Sequence, residues 1–276
     1  MQNLTTIGFI GAGNMAYALI SGLINNGFSA QNIKLSDTDA ALLSLRADEF
    51  NLEVFTDNVK LAAQCEVIVF AVKPQVLSLV CKELQQHINH NPLIISIAAG
   101  VRATDINRWL GGDTAIVRTM PNTPALLGKG ATGMLANEAV SDKQKALAGQ
   151  ILSAVGSCLW VEDEKMLDAV TALSGSGPAY FFLLIESMAK AGVALGLDEA
   201  SAEKLSIQTA LGASMMASSS DDSAHQLRAK VTSKNGTTQA AIESFQDQDF
   251  EMIVAHAMRA AFDRSREMGT ELGDDD

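Results

Sequence analysis

Six consecutive residues, Gly11-Ala12-Gly13-Asn14-Met15-Ala16, limit what this chain can fold into more than any other feature. They fit the pattern G-x-G-x-x-G/A. Before them runs an apolar stretch, Thr5-Thr6-Ile7-Gly8-Phe9-Ile10, and after them an apolar helical pattern continues to Leu23. A glycine turn between a strand and a helix, at the head of a βαβ series, is the setting in which such a motif binds a dinucleotide. Gly11 permits the tight turn, Gly13 lets the backbone approach a pyrophosphate, and Ala16 lets helix and strand pack closely. The helix start then presents unpaired N–H groups to the negative charge. Gly11, Gly13, Asn14 and Met15 are therefore the cofactor-binding candidates of this turn. Outside such a series the same residues would be only a strand-to-helix connection.

The series is present. Ile33-Lys34-Leu35, Val67-Ile68-Val69-Phe70-Ala71-Val72, Leu93-Ile94-Ile95-Ser96-Ile97 and Ala115-Ile116-Val117-Arg118 read as further strands. Continuous apolar runs of that length suit parallel strands covered on both faces. Residues 39–50 and 75–86 have helical spacing between them. This predicts an α/β, Rossmann-like, doubly wound and mostly parallel sheet. After about Trp160 every segment reads as helix: 164–173, 179–195, 198–218, 223–231, 237–245 and 250–268. The expected division is a dinucleotide-binding domain over 1–162 and an all-helical dimerisation and substrate-binding domain over 163–276.

Bulk properties exclude several functions. A net charge of −12 argues against a general nucleic-acid binder, because phosphate neutralisation needs clustered Lys and Arg. Three scattered cysteines and four scattered histidines form no disulfide framework and no metal-ligand spacing. No basic leader segment precedes the first strand. The longest strongly apolar burst, residues 179–185, is far short of the ~20 residues of a membrane span. A cytoplasmic protein without membrane or nucleic-acid partners is expected, with a frayed acidic tail at Gly273-Asp274-Asp275-Asp276.

Ligands of open α/β sheets sit at the carboxyl ends of the strands. Ser36, Asp37 and Thr38 end the second strand. Asp37 is a candidate for a ribose 2′-hydroxyl or for a helix cap, and Ser36 and Thr38 offer donors to a 2′-phosphate. Asn58 adds another donor, with N-capping as its ordinary alternative. Ala71-Val72-Lys73-Pro74 should border the nicotinamide, although Pro74 is also good chemistry for a first helical turn. Ala98 and Asn122 end later strands and line the same crevice, and a turn role is the plain alternative for Asn122.

Two polar stretches interrupt the helical half. Leu173-Ser174-Gly175-Ser176-Gly177-Pro178-Ala179-Tyr180 reads as a flexible glycine-serine hinge before a long helix, with Ser176 as a substrate-binding candidate. Val231-Thr232-Ser233-Lys234-Asn235-Gly236-Thr237-Thr238 carries a strong Asn-Gly turn signal and two threonines suited to capping the next helix. The ordinary reading is a capped turn. The sharper one is an anion site at a helix start.

Taken together these motifs resemble the pyrroline-5-carboxylate reductase family. The matching stretches are 7–16, Ala71-Val72-Lys73-Pro74, 117–124, 173–180, and Lys230-Val231-Thr232-Ser233 with Gly236-Thr237-Thr238, in the family's order. The resemblance implies reduction of the cyclic imine of 1-pyrroline-5-carboxylate to proline, with NADPH as hydride donor and NADH as the alternative. It implies an interlocked homodimer, larger assemblies of dimers in some members, and an active site where the cofactor domain meets helical elements at the dimer interface. It places Thr238 near the ring nitrogen as the catalytic candidate. Ser233, Asn235, Gly236 and Thr237, with Thr238, hold the substrate. The chain departs from the family's usual Pro-Gly-Gly at Lys234-Asn235-Gly236. Asn tolerates positive φ better than most non-glycine residues, and Lys234 adds a positive charge beside the anion site. Two other readings share the scaffold. One is a related reductase acting on a different imine or on a hydroxy acid, and a hydroxy-acid enzyme would want a Lys or His proton donor in the helical half, where 173–180 has no His. A non-catalytic NAD(P)-binding regulator would have no use for the loop 231–238.

Overall fold

A computed structural model describes residues 5–273, so the acidic residues Asp274, Asp275 and Asp276 lie outside it. Among the described residues, eight strands form one sheet in the order β3-β2-β1-β4-β5-β6-β7-β8. The strands are β1 Ile7–Ile10, β2 Ile33–Ser36, β3 Glu53–Phe55, β4 Val67–Phe70, β5 Leu93–Ser96, β6 Ile116–Met120, β7 Gly130–Ala136 and β8 Gly156–Trp160. The first six are mutually parallel, β7 runs antiparallel to β6, and β8 is parallel to β7. The order reverses at β1, whose neighbours are β2 and β4. That reversal opens a crevice above the carboxyl end of β1, where the glycine turn lies.

Residue alternation sends the strand side chains into two cores. Ile7, Phe9, Ile33, Leu35, Val67 and Val69 face one core, with Leu19, Leu23 and Ile151. Ile10, Ile68, Phe70 and Ile94 face the other, with Leu77, Leu84 and Ile106. Each fully buried Ile, Leu or Phe contributes about 1.5–3 kcal/mol, so a sheet covered on both faces is the energetically dominant feature of this half. The helices that cover it include α1 Asn14–Asn25, α2 Ala40–Phe50, the short α3 Asn58–Ala62, α4 Pro74–Leu84, α5 Ala103–Trp109 and α6 Asp142–Ser153. Cys65 and Cys81 are free and buried, and burial pushes both thiols up to about 12, so neither is a nucleophile at neutral pH.

Helices continue the chain as α7 Glu164–Val170, α8 Gly177–Ala194, α9 Glu199–Ser219, α10 Ala224–Lys230, α11 Thr237–Asp247 and α12 Phe250–Gly273. Two compact units result. One ends at Ser176 and takes back the chain from Ala261 onward, and the other is Gly177–Ala260. The change from sheet to helix does fall after β8, at 161–163. Helix α7 and the end of α12 nevertheless pack with the sheet. Ser265 Oγ donates to the buried Asp168 carboxylate at 2.6 Å, and Arg102 Nη2 donates to Thr270 Oγ1 at 3.2 Å.

The stretch 173–180 is not the flexible hinge that its glycines and serines suggest. Thr171–Gly175 form a π-helical turn, and the helical segment runs unbroken from Glu164 to Ala194. Ser176 N–H donates five residues back to Thr171 C=O at 2.9 Å, the bond that defines the turn. Pro178 lies inside this continuous segment and has no N–H to give the Ser174 carbonyl four residues back, which accepts from Asn122 Nδ2 at 2.9 Å instead. By length and composition this segment passes for a membrane-crossing helix, although only 17% of its most apolar window is buried. The expectation that no segment would pass rested on the apolar burst 179–185 alone.

Candidate functional site

The glycine turn is built as its residue types require. Gly11 has φ +104°, and a Cβ there would lie 2.6 Å from Ala71 O. Only glycine fits, so β1 and the turn after β4 approach closely. Around Gly13 there is open space, with nothing within 4 Å of a built Cβ. Gly13 is the N-cap of α1 and makes no side-chain cap bond. The N–H groups of Asn14 and Met15 have no partner among the described residues. An open cradle with free donors at the start of a 12-residue helix fits a dinucleotide diphosphate.

Asp37 does not cap the helix that follows. Its Oδ2 accepts from Ala12 N–H at 2.7 Å, and its Oδ1 accepts from Asp39 N–H at 2.9 Å. The cap of α2 is Asp39, which accepts from Ala41 and Leu42 N–H, both at 3.0 Å. Asp37 therefore ties the glycine turn to the end of β2. Beside it, fully buried Ser36 donates its hydroxyl to Asn58 Oδ1 at 2.8 Å, and Asn58 Nδ2 donates to Glu83 Oε2 at 3.0 Å. Asn58 is not the N-cap of α3; Asp57 is, accepting from Lys60 N–H at 3.0 Å.

The residues predicted to line the crevice follow the carboxyl ends of β4, β5 and β6, which are neighbours in the sheet. Ala71 and Val72 are half-buried, Lys73 is exposed as the N-cap of α4, and Pro74 is its first residue. Ala98 is buried behind the carboxyl end of β5, where its N–H donates to Ser96 Oγ at 3.3 Å. Asn122 has both ends of its amide engaged within the chain. Its Nδ2 donates to Ser174 O at 2.9 Å, and its Oδ1 accepts from Ala131 N–H at 2.9 Å. It braces the π-helical turn against the chain entering β7. Asn122→Ala removes both bonds at a buried site and should cost roughly 1–3 kcal/mol, read as a lower urea midpoint with an unchanged slope.

Sequence reasoning missed Arg118 as a functional support. It is buried on β6 and paired with Glu164, whose Oε1 also accepts from Ala103 N–H at 2.9 Å. The signal available was a charged residue at the end of an otherwise apolar strand. A concavity of about 540 Å³ lined by Gln85, Asn89, Asn91 and Thr114 lies at the opposite end of the strands, before β5 and β6 begin, and belongs to none of this chemistry.

The loop 231–238 lies in the helical unit and joins α10 to α11. Asn235 adopts φ +59°, the left-handed conformation of its turn. Its N–H donates to Gln239 Oε1 at 2.7 Å, and Gln239 Nε2 donates to Glu243 Oε1 at 2.7 Å. Gly236 N–H is taken by Ser233 C=O at 3.0 Å, so it is not free to bind an anion. Ser233 steadies the turn in this way, through its carbonyl, while its side chain is exposed. Gly236 is also the N-cap of α11, which displaces the two threonines from the capping role expected of them. Thr237 and Thr238 instead occupy the first turn, where their N–H groups have no partner among the described residues and their hydroxyls are not spent on capping. Thr237 is exposed and Thr238 half-buried.

The chain resembles known proteins over nearly its whole length. Residues 164–268 match the family model for pyrroline-5-carboxylate reductase dimerisation, and residues 6–100 match the model for coenzyme F420-dependent NADP oxidoreductases. The pyrroline-5-carboxylate reductase of Pseudomonas aeruginosa is 50% identical over 267 residues, covering 97% of this chain and 98% of that one. A solved pyrroline-5-carboxylate reductase from Coxiella burnetii superposes with a TM-score of 0.93 at 41% identity, covering 96% of this chain and 99% of that one. The Plasmodium falciparum enzyme, solved with NADP bound, superposes with a TM-score of 0.84 at 32% identity, over 98% and 99% of the two chains.

Proposed function

Since the chain belongs to the pyrroline-5-carboxylate reductase family and is an NADP-dependent oxidoreductase, we propose the following account of how its residues reduce 1-pyrroline-5-carboxylate to L-proline. The observation that carries the reading is that one chain holds both an open, donor-lined glycine turn and, in its helical unit, a helix start whose threonine donors are unspent. The reductases it resembles act on a small cyclic imine bearing a carboxylate, and these two features suit the cofactor and that substrate respectively.

Gly11 and Gly13 admit the diphosphate, and Asn14 and Met15 N–H groups hold it. Ser36 and Asn58 face the adenosine ribose. Ala71, Val72, Lys73, Pro74 and Ala98 border the nicotinamide end. Bound there, NADPH supplies the hydride. Thr237 and Thr238 N–H groups take the substrate carboxylate at the start of α11, with the helix dipole in support. Asn235 and Gly236 shape that turn instead of donating to the anion. The Thr238 hydroxyl bonds the ring nitrogen as the imine becomes an amine. A protonated imine already accepts hydride, so orientation supplies much of the rate and no strong general acid is needed. Ser176 contributes through the π-helical turn, a feature frequent at functional sites.

The helical unit also carries the dimer. Phe181, Phe182, Leu183, Leu211, Met215 and Ile253 are exposed within Gly177–Ala260, and this unit falls in the matched dimerisation region. Covering those faces with a second copy accounts for them better than a membrane does, and this supports the reading of a cytoplasmic homodimer from which larger assemblies grow. Light scattering should give at least twice the chain mass, and a monomer at micromolar concentration would contradict the dimer. The catalytic reading is tested by oxidation of NADPH and NADH with and without pyrroline-5-carboxylate. Substrate-dependent oxidation is expected. Cofactor binding without any turnover would favour a regulator that keeps the scaffold alone.

A further inference from the structure

We propose that Glu83 sets the cofactor preference of this chain by holding the amide of Asn58 away from the ribose 2′ position and placing a carboxylate there. This rests on the assignment of Ser36 and Asn58 to the adenosine ribose. The orientation of the Asn58 amide is fixed from both sides. Its Oδ1 accepts from Ser36 Oγ at 2.8 Å, and its Nδ2 donates to Glu83 Oε2 at 3.0 Å. Reversing the amide would set its oxygen against the carboxylate, so Glu83 determines which end faces which partner. The Ser36 hydroxyl is spent on Asn58 in the same chain of bonds.

A 2′-phosphate brings close to two negative charges and wants donors or cations. One cation on each of β2, α2 and α3 is engaged. Lys34 pairs with Glu53, Lys60 lies 3.6 Å from Asp57, and Arg46 lies 3.0 Å from Glu49. To bind NADPH, the chain must release Asn58 Nδ2 from Glu83 while keeping that carboxylate nearby. A 2′-hydroxyl faces no such cost, because it can donate to Glu83 itself. Glu83 is exposed on α4, where the bond to Asn58 ties α4 to the start of α3 and where substitution leaves the core untouched. Glu83 thus weakens discrimination for NADPH and keeps NADH usable.

The test measures dissociation constants of NADP+ and NAD+ by calorimetry, alongside kcat and KM for NADPH and NADH, in the wild type, Glu83→Gln and Glu83→Lys. Glu83→Gln keeps an acceptor oxygen for Asn58 and removes the charge. It should tighten NADP+ by roughly twofold to fivefold, the scale of one exposed charge interaction, while NAD+ is unchanged or weakened. Glu83→Lys should widen the difference, and added salt should narrow it. The gain should appear in KM for NADPH rather than in kcat. Equal effects on both cofactors, or no effect in either variant, would overturn the proposal. Failure of the wild type to bind either dinucleotide would instead overturn the cofactor site on which it rests.

Discussion

Thr238→Ala should lower kcat/KM for pyrroline-5-carboxylate by roughly 10- to 100-fold while cofactor affinity stays at the wild-type value. A hydrogen bond to a group whose charge changes during reaction is worth about 1.5–3 kcal/mol, and that range sets the expected loss. Thr238 sits in the first turn of α11, and its hydroxyl is not consumed by the N-cap, which is Gly236. The methyl group that alanine retains at Cβ keeps the helix start intact, and alanine is the better helix former, so a folding defect is not expected. Thr238→Ser keeps the hydroxyl and should recover most of the activity. If the hydroxyl serves the developing amine, the loss appears chiefly in kcat. A loss confined to KM would mean that it serves the carboxylate. An unchanged kcat/KM in Thr238→Ala would remove the residue from the mechanism.

The conformation of the loop that presents Thr238 depends on residues local to this chain. Left-handed Asn235 is held by Gln239, which accepts its N–H at 2.7 Å, and Gln239 is held in turn by Glu243. The two side chains lie one helical turn apart on the same face of α11. They stabilise from the helix side a turn that lacks the pre-set proline of the related Pro-Gly-Gly sequence. The Asn-Gly pair announced a turn, but this bracing depended on i,i+4 neighbours that no turn rule includes.

The same difference explains what the sequence revealed about the fold. Strands β1, β4 and β5 were legible because each is a largely apolar run with every residue buried. Strand β7, Gly-Ala-Thr-Gly-Met-Leu-Ala, has little β propensity of its own and is held by its neighbours β6 and β8. Strand β8 alternates half-buried and exposed residues at the sheet edge, and β3 has only three residues, so neither carries a strong local signal. The stretch 173–180 misled for a related reason. Glycine and serine lower helix propensity, but the turn is fixed by tertiary partners, including Asn122 bonded to Ser174 and Met120 packed against Gly175. At the cofactor end, the glycine turn could be read from its spacing together with the βαβ series that it heads. The roles of Asp37 and Glu83 could not, because each is defined by a bond to a residue more than twenty positions away.

Gly11→Ala should abolish measurable cofactor binding and lower stability together. At φ +104° an L side chain is strained by about 1–3 kcal/mol before any contact is considered. The added methyl would also meet Ala71 O at 2.6 Å, Ala71 C at 2.7 Å and Val72 N at 3.0 Å, all of them backbone atoms that cannot swing aside. Relief requires β1 and the turn after β4 to separate. That separation breaks the bond from Ala71 N–H to Ile10 C=O at 2.8 Å and disturbs the one from Gly11 N–H to Ser36 C=O at 2.8 Å. The diphosphate turn and the nicotinamide turn therefore move apart in a single substitution, and dinucleotide affinity should fall by at least about 100-fold. Gly13→Ala is the control. Its backbone is extended and its Cβ would meet nothing within 4 Å, so the protein should stay as stable as the wild type and lose affinity only through the methyl group's intrusion on the diphosphate. Calorimetry and thermal melting separate the two variants. If Gly11→Ala melts and binds like the wild type, the close approach of β1 to the β4 turn is not what shapes this site.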